Sequence, residues 1–410
     1  MTMGLRIVLR LDELAACSDE PGAITRLYLS DAHRKAAGLV TGWMESAGMS
    51  PRLDAVGNVV GRHEGTDPGA QSLLIASHID SVPNAGKFDG NLGVVTGIEV
   101  VEQLRRNREA LPFAIEVVAF GDEEGTRFPS TLGGSRALAG AFDARILDEA
   151  DAGGITRRAA LKAFGCDPAS IPQLARDPAR YRGYLEIHIE QGPVLEAKDL
   201  PLGIVTAING ATRGSIDVKG EGGHAGTIPM TLRRDAYCAA AEMALAIEQR
   251  GSVEPDLVAT VGRVEITGAA VNSIPGVVRF TLDVRSPSDD RRRAAVADIG
   301  GALESIAARR GVKVTVELGY QAPAAPCDAG LMQHLADAVE AHGIAPLHLP
   351  SGAGHDAMSF RDRLPIAMLF VRCRGGVSHT PAEHATAADI DTAARSVLRF
   401  VQSLAASTST

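Results

Sequence analysis

The chain sets metal-grade ligands into short segments beside glycine or at the end of an apolar run. They are Ser77-His78-Ile79-Asp80 continuing to Phe88-Asp89-Gly90, then Gly121-Asp122-Glu123-Glu124-Gly125, then Ile187-His188-Ile189-Glu190-Gln191-Gly192, and finally Ser378-His379-Thr380-Pro381. Together they supply imidazoles and carboxylates enough for two divalent cations sharing a carboxylate, with one carboxylate left as a general base. The chemistry this implies is metal-assisted hydrolysis. Each segment alone has a plainer reading: a lone buried histidine is usually a satisfied core residue, Asp89 could be a turn aspartate, and Glu123-Glu124 a solvated acidic turn. Their joint presence favours the site. Asp80 is spaced to take the far imidazole N–H of His78. Asp89 suits a bridge because one carboxylate has two oxygens to share. Side chains of neighbouring residues on an extended chain diverge, so Glu123 and Glu124 are expected to divide the work of ligand and base.

The elements that must position these residues are short and apolar. Leu73–Ala76 reads as a buried strand delivering His78, and Ile115–Phe120 as one delivering Glu123 and Glu124. Tyr184–Glu190 alternates, with Leu185, Ile187 and Ile189 on one face and Glu186, His188 and Glu190 on the other. Helices are predicted over Asp31–Gly48, with Ser30 as its cap, and over Gly93–Leu104. Strands alternating with helices, with chemistry at the strand ends, predict an α/β fold with a mostly parallel mixed sheet.

Near Thr212 the pattern changes. Ser215–Lys219, Leu257–Ile266, Val277–Arg285 and Lys313–Leu318 read as strands, separated by helices at Leu232–Gln249 and Asp290–Arg309. Four strands and two helices make an inserted α+β domain. The predicted division is 1–211 with 329–410 as the catalytic domain and 212–328 as a lid and dimerisation domain. A helix at Leu331–His342 and a strand at Pro365–Val371 return the chain to His379. The tail, Ala405–Thr410, is expected to fray.

Further polar residues can build a second wall. His224, in Gly222-Gly223-His224-Ala225-Gly226, is placed to donate to a developing oxyanion. Arg285 suits bidentate capture of a carboxylate, and Asn272 can add a hydrogen bond. His355-Asp356 occupy a glycine-rich loop. Gly220-Glu221-Gly222-Gly223-His224-Ala225 also fits a loose dinucleotide fingerprint, but Pro229 and the late helix start oppose that reading.

Bulk properties narrow the class. At 410 residues the chain is long enough for two domains. Its 45% apolar and 22% charged content is that of a soluble globular protein. A net charge of -9 argues against a nucleic-acid partner. No apolar run reaches membrane-spanning length. The N-terminal segment, with Arg6, Arg10, Asp12 and Glu13, does not read as a secretory signal. Cys17, Cys166, Cys238, Cys327 and Cys373 form no Cys-x-x-Cys pair, so reduced thiols and a cytoplasmic location are expected.

With these residues in hand, the chain resembles the amidase/hydantoinase/carbamoylase family of dinuclear metallohydrolases. That family includes N-carbamoyl-L-amino acid amidohydrolases, allantoate amidohydrolases and β-ureidopropionases, and is related to aminoacylase-type metallopeptidases. The resemblance covers nearly the whole chain. It adds Thr25-Arg26-Leu27, Asp54-Ala55-Val56-Gly57-Asn58, Glu190-Gln191-Gly192-Pro193 and Gly354-His355-Asp356-Ala357 to the segments above. It implies His78, Asp89 and His188 on one cation and Asp89, Glu124 and His379 on the other; imidazole and carboxylate suit zinc, manganese, cobalt and nickel alike, so the sequence does not choose the ion. It further implies Glu123 as general base, Asp80 as the partner of His78, and Gln191 and His355 as substrate contacts. His188 is the ligand type of the carbamoylase branch, whereas peptidase relatives tend to carry a carboxylate there. Homodimers are also implied, with His224, Asn272 and Arg285 reaching the neighbouring subunit's site. The expected reaction is hydrolysis of the ureido C–N bond of a small ureido acid, with an aminoacylase or dipeptidase as the nearest rival.

Overall fold

The structure, a computed structural model, describes residues 1–407. The strands in chain order are β1 (Ser50–Leu53), β2 (Val59–His63), β3 (Ser72–His78), β4 (Ile115–Phe120), β5 (Tyr181–Ile189), β6 (Leu202–Ile208), β7 (Gly210–Lys219), β8 (Gly223–His224), β9 (Val258–Thr260), β10 (Val264–Thr267), β11 (Ser273–Ile274), β12 (Val277–Ser286), β13 (Lys313–Ala322), β14 (Ala325–Pro326), β15 (His348–Ser351) and β16 (Ile366–Val371). Two compact units result. One holds Met1–Thr206, Pro326–Leu349 and the chain from Ala353 onward; the other holds Ala207–Ala325 with Pro350–Gly352. The unit boundaries at Thr206/Ala207 and Ala325/Pro326 fall a few residues before the sequence-predicted ones.

In the first unit the sheet runs β1-β2-β4-β3-β5-β16-β6-β14, with β15 also beside β6. Its centre, β4-β3-β5-β16, is parallel, and antiparallel strands flank it. Every residue of β3 and β4 is buried, which is why both read as continuous apolar runs rather than alternating ones. The helix Asn91–Asn107 covers the sheet through Leu92, Val95, Ile98 and Val101. Ser30 caps the helix Asp31–Ser46 by accepting the His33 N–H at 3.1 Å, and Gly48 follows its end at φ 81°. A helix at Met3–Ala15 goes beyond the sequence reading. Its Arg6 and Arg10 reach the buried Glu99 of the helix Asn91–Asn107, so these charges are structural. The helix Ala387–Ala406 continues past the expected fraying point at Ala405, and the last three residues of that expected tail, 408–410, lie outside the described residues.

The second unit is an antiparallel sheet, β10-β12-β7-β13, with β9 also on β12. Val278, Phe280, Leu282 and Val284 alternate along β12 and pack with Met243, Ile299 and Leu303 of the helices Ala236–Gly251 and Asp289–Arg310. One expectation is corrected here. Leu257–Ile266 is not one strand; it breaks at Val261-Gly262-Arg263 into β9 and β10. Thr281 ties the break down, its N–H to the Arg263 carbonyl and its hydroxyl accepting the Arg263 N–H, both at 3.0 Å. His224 and Asn272 belong to a small separate ladder, β8-β11 and its flank. That ladder leads into the Val277 end of β12, while Arg285 pairs with Ala211 at the other end. Eight residue steps along the strand, Val277 to Arg285, separate those ends, roughly 26 Å at the usual rise. Among the described residues, no helix is long and apolar enough to cross a membrane.

Candidate active site

The parallel strands β3, β4, β5 and β16 all point their C-terminal ends at one place, the usual position of chemistry in an open α/β sheet. His78 ends β3, Asp122-Glu123-Glu124 follow β4, His188 sits one residue before the end of β5, and His379 lies eight residues past β16. Asp89 comes from the loop into the helix Asn91–Asn107. The next residue must be glycine, because φ is 65° and a Cβ at Gly90 would stand 2.4 Å from the His78 ring.

Asp89 is the hub. Its Oδ1 lies 3.0 Å from His188 Nε2 and 3.7 Å from His78 Nε2, while its Oδ2 lies 3.1 Å from His379 Nε2. Both buried imidazoles are oriented from behind: His78 Nδ1 is 3.1 Å from the Asp80 carbonyl and His188 Nδ1 is 2.9 Å from the Ile189 carbonyl. With Nδ1 donating, a neutral ring presents the Nε2 lone pair to Asp89. His188 Nε2 and the Asp89 carboxylate face each other at hydrogen-bond distance, so a positive species, a ring proton or a cation, belongs between them; His78 Nε2 stands farther off at 3.7 Å. Glu124 Oε1 is buried without a hydrogen-bond partner, as a ligand atom would be.

Three groups have ligand atoms within 4.8 Å of one another: His78, Asp89 and His188; His78, Glu123 and Glu124; and Asp89, Glu124 and His379. One nitrogen lone pair serves one cation. The first and third groups share only the two-oxygen carboxylate of Asp89, so they can be filled together, and Glu123 is then left over. Imidazole with carboxylate is a donor set that fits zinc, manganese, cobalt or nickel.

The electrostatics follow from burial. It pushes Glu123 well above the usual carboxylate range, and the charges of Glu124, Asp356 and Asp80 add to it against the pull of His78. Burial and the Asp89 charge push Glu124 up to about 7. Burial would raise Asp89 too, but hydrogen bonds from His188, His379 and His78 outweigh it and hold Asp89 well below the usual range. Burial and the neighbouring His188 hold His355 well below the usual imidazole value.

The structure brings His78, Asp80, Asp89, Glu123, Glu124, His188, Gln191, His355 and His379 together in one unit. Gln191 Nε2 donates to Asp89 Oδ2 at 2.9 Å, and the His355 ring stands edge-on to His188 with centroids 4.5 Å apart. His224, Asn272 and Arg285 belong to the other unit. His224 and Asn272 are exposed there and share a ladder, the Asn272 carbonyl accepting the Ala225 N–H at 2.9 Å. Arg285 gives Nε and Nη2 to Asp283 at 3.0 and 2.8 Å and Nη1 to the Gly352 carbonyl at 2.7 Å. Each terminal nitrogen carries a second N–H beyond these bonds.

Three features differ from or extend the sequence reading. The Asp80 carboxylate is not the main partner of His78: its Oδ1 lies 3.7 Å from Nδ1, and its two oxygens instead accept the N–H groups of Glu123 and Glu124 at 3.1 and 3.2 Å. Asp122, in left-handed backbone at φ 72°, is pinned by the buried Arg157. Ser378 and Glu383 support the Asp89 loop; the only cue to Glu383 was a carboxylate one turn past His379.

A mixed sheet whose parallel centre brings imidazoles and carboxylates onto one aspartate defines a hydrolase of the metal-ligating kind. Comparison with known proteins agrees. Residues 74–403 match Peptidase family M20/M25/M40. An N-carbamoyl-L-amino acid amidohydrolase of Geobacillus stearothermophilus is 41% identical, covering 99% of both chains. An allantoate deiminase of Arabidopsis thaliana is 40% identical, covering 97% of this chain and 81% of that one. The crystal structure of an amidase of the hydantoinase/carbamoylase family from Burkholderia multivorans superposes with TM-score 0.93 at 33% identity, covering 98% of each chain. The chain belongs to peptidase family M20/M25/M40, and it is an enzyme that hydrolyses amide-type C–N bonds.

Proposed function

We propose that this enzyme hydrolyses the ureido C–N bond of a small ureido acid of the N-carbamoyl-L-amino acid type, releasing amine, carbon dioxide and ammonia. Allantoate and N-carbamoyl-β-alanine are the alternative substrates. The partition of the cluster carries the hydrolytic part of this reading: two ligand groups share Asp89, and Glu123 is spare. The names of relatives about 40% identical over nearly the full chain support the ureido part. His78, Asp89 and His188 would hold one divalent cation and Asp89, Glu124 and His379 a second. Such ions, when bound, lower the pKa of water and polarise a carbonyl as Lewis acids.

The chain's own residues do the rest. The Glu123 carboxylate takes a proton from the attacking water and returns it to the leaving nitrogen; a raised affinity for protons suits both steps near neutral pH. Water adds to the carbamoyl carbon, the C–N bond to the amine breaks, and the carbamic acid formed decomposes to carbon dioxide and ammonia. His224 donates to the developing oxyanion, a contact worth about 3 kcal/mol where such donors have been removed. The remaining N–H groups of Arg285 grip the substrate carboxylate, with Asn272 of the other subunit adding a hydrogen bond, while Gln191 and His355 contact substrate from the metal-bearing unit. A homodimer, with second-unit residues supplied across subunits, completes this reading.

The test is a substrate panel on metal-reconstituted enzyme. Ammonia release from N-carbamoyl amino acids, allantoate or N-carbamoyl-β-alanine, lost on chelation and restored by divalent metal, is the expected result. Turnover of N-acetyl amino acids or dipeptides with no ammonia from any ureido acid would select the aminoacylase or dipeptidase reading instead.

A further inference from the structure

We propose that Glu383 is a positioning residue of the metal centre, clamping the loop that carries Asp89 to the loop that carries His379. This rests on the metal-site reading above and deepens it. Glu383 is 5% exposed and lies in the same turn as His379, its N–H bonded to the Thr380 carbonyl at 3.1 Å. Its carboxylate reaches across 294 residues of sequence to Asp89. One oxygen, Oε1, accepts the backbone N–H of Phe88 at 2.8 Å and of Asp89 at 3.1 Å. The other, Oε2, lies 3.0 Å from the Ser378 hydroxyl, which is itself 3.1 Å from Asp89 Oδ2. Gln191 Nε2 donates to that same hydroxyl at 3.0 Å.

A buried carboxylate beside a second carboxylate is costly unless donors satisfy it. Here two amides and a hydroxyl do so, and all three belong to the segments that carry Asp89 and His379. The approach is built for: a Cβ on Gly86 would stand 2.4 Å from the Glu383 side chain, so a glycine at 86 lets the carboxylate in. The result fixes the backbone of Asp89, and with it the direction of its two oxygens, Oδ1 toward His188 and His78 and Oδ2 toward His379. Groups that orient metal ligands in this way typically change metal affinity about 10- to 100-fold when removed.

The experiment titrates metal-free enzyme with cobalt(II), reading affinity by calorimetry and ligand geometry by the visible absorption of the bound ion. Glu383→Ala is expected to weaken the apparent Kd about 10- to 100-fold and to alter the cobalt spectrum. Glu383→Gln keeps the shape: its amide oxygen still accepts the two backbone N–H groups, its nitrogen donates to Ser378, and the Ser378 hydrogen turns to Asp89. It is expected to stay within about threefold of wild type with the same spectrum. Ser378→Ala removes one link only and should give a smaller loss of the same sign, which keeps the test open if Glu383→Ala does not fold. Wild-type affinity and spectrum in Glu383→Ala, or equal damage in Glu383→Gln, overturns the clamp while leaving the metal site standing. Absence of cobalt binding by the wild-type protein overturns the metal-site reading itself.

Discussion

The imidazole of His78 turns Nδ1 to the backbone oxygen of Asp80, 3.1 Å away, and not to its carboxylate, 3.7 Å away. The Asp80 side chain therefore works mainly through its two bonds to the Glu123 and Glu124 amides. Asp80→Asn can satisfy only one of those amides and sets an N–H donor against the other. We expect kcat to fall about 10- to 100-fold with most of the metal retained. Elemental analysis of the purified variant beside its turnover checks this; metal lost in step with activity would return Asp80 to the role of His78's partner.

Glu123 and Glu124 are adjacent in sequence but not equivalent in place. Glu124 has a buried oxygen without a hydrogen-bond partner and stands 3.8 Å from His379, while Glu123 faces His78 at the same distance. Glu123→Gln is expected to keep its metal and lose about 10²- to 10⁴-fold in kcat. Glu124→Gln is expected to lose metal affinity first, with partial recovery of activity in excess metal. A metal titration of each variant scored by ammonia release separates the two; identical profiles would mean the division of labour is wrong.

Much of this was legible in the sequence because parallel strands buried on both faces read as apolar runs, and ligands at their ends interrupt those runs abruptly. Leu73–Ala76 before His78 and Ile115–Phe120 before Glu123 are the clearest cases. What was not legible has a common physical cause. Glu383, Ser378 and Arg157 act on backbone groups or on side chains far away in sequence, and such bonds leave no local pattern. The strand break at Val261-Gly262-Arg263 was hidden for the opposite reason, since β-branched residues on both sides imitate one continuous strand. Arg285, expected to reach the neighbouring subunit's site together with His224, is separated from it by the length of β12, which only register reveals.

His33 gives the fold a pH dependence of its own. It is fully buried, its Nδ1 accepts the Leu29 N–H at 2.9 Å, and burial together with the charges of Arg26, Arg34 and Arg127 pulls its pKa from 6.5 down to about 3. Between those values the unfolded chain binds a proton at this site and the folded chain does not. Its contribution is therefore complete above pH 6.5 and is lost as pH falls toward 3, at about 1.4 kcal/mol per pH unit. Asp54 and Asp122, raised by burial to about 6 and about 7, act in the opposite direction, so the comparison must be with a variant. His33→Asn can keep the acceptor for Leu29 without the titration. Its melting temperature should gain on wild type as pH is lowered from about 6.5 to about 5; parallel curves would show that His33 is protonated in the fold.

The register of β12 bears on how a dimer would share its sites. His224 and Asn272 adjoin the Val277 end and Arg285 lies at the other, roughly 26 Å apart along the strand. No small ureido acid spans that distance, so one copy of the second unit cannot offer both ends to one substrate. If both ends serve catalysis, one subunit gives Arg285 to a site and the other gives His224 and Asn272. This revises the expectation that all three arrive together from the neighbour. His224→Ala and Arg285→Ala should each be nearly inactive alone. Unfolded together and refolded as a mixture, they form heterodimers in which one site receives both intact residues and the other receives neither. With random pairing, about a quarter of the wild-type rate should return. If all three residues came from one subunit, every site in the mixture would carry one of the two substitutions and no activity would return.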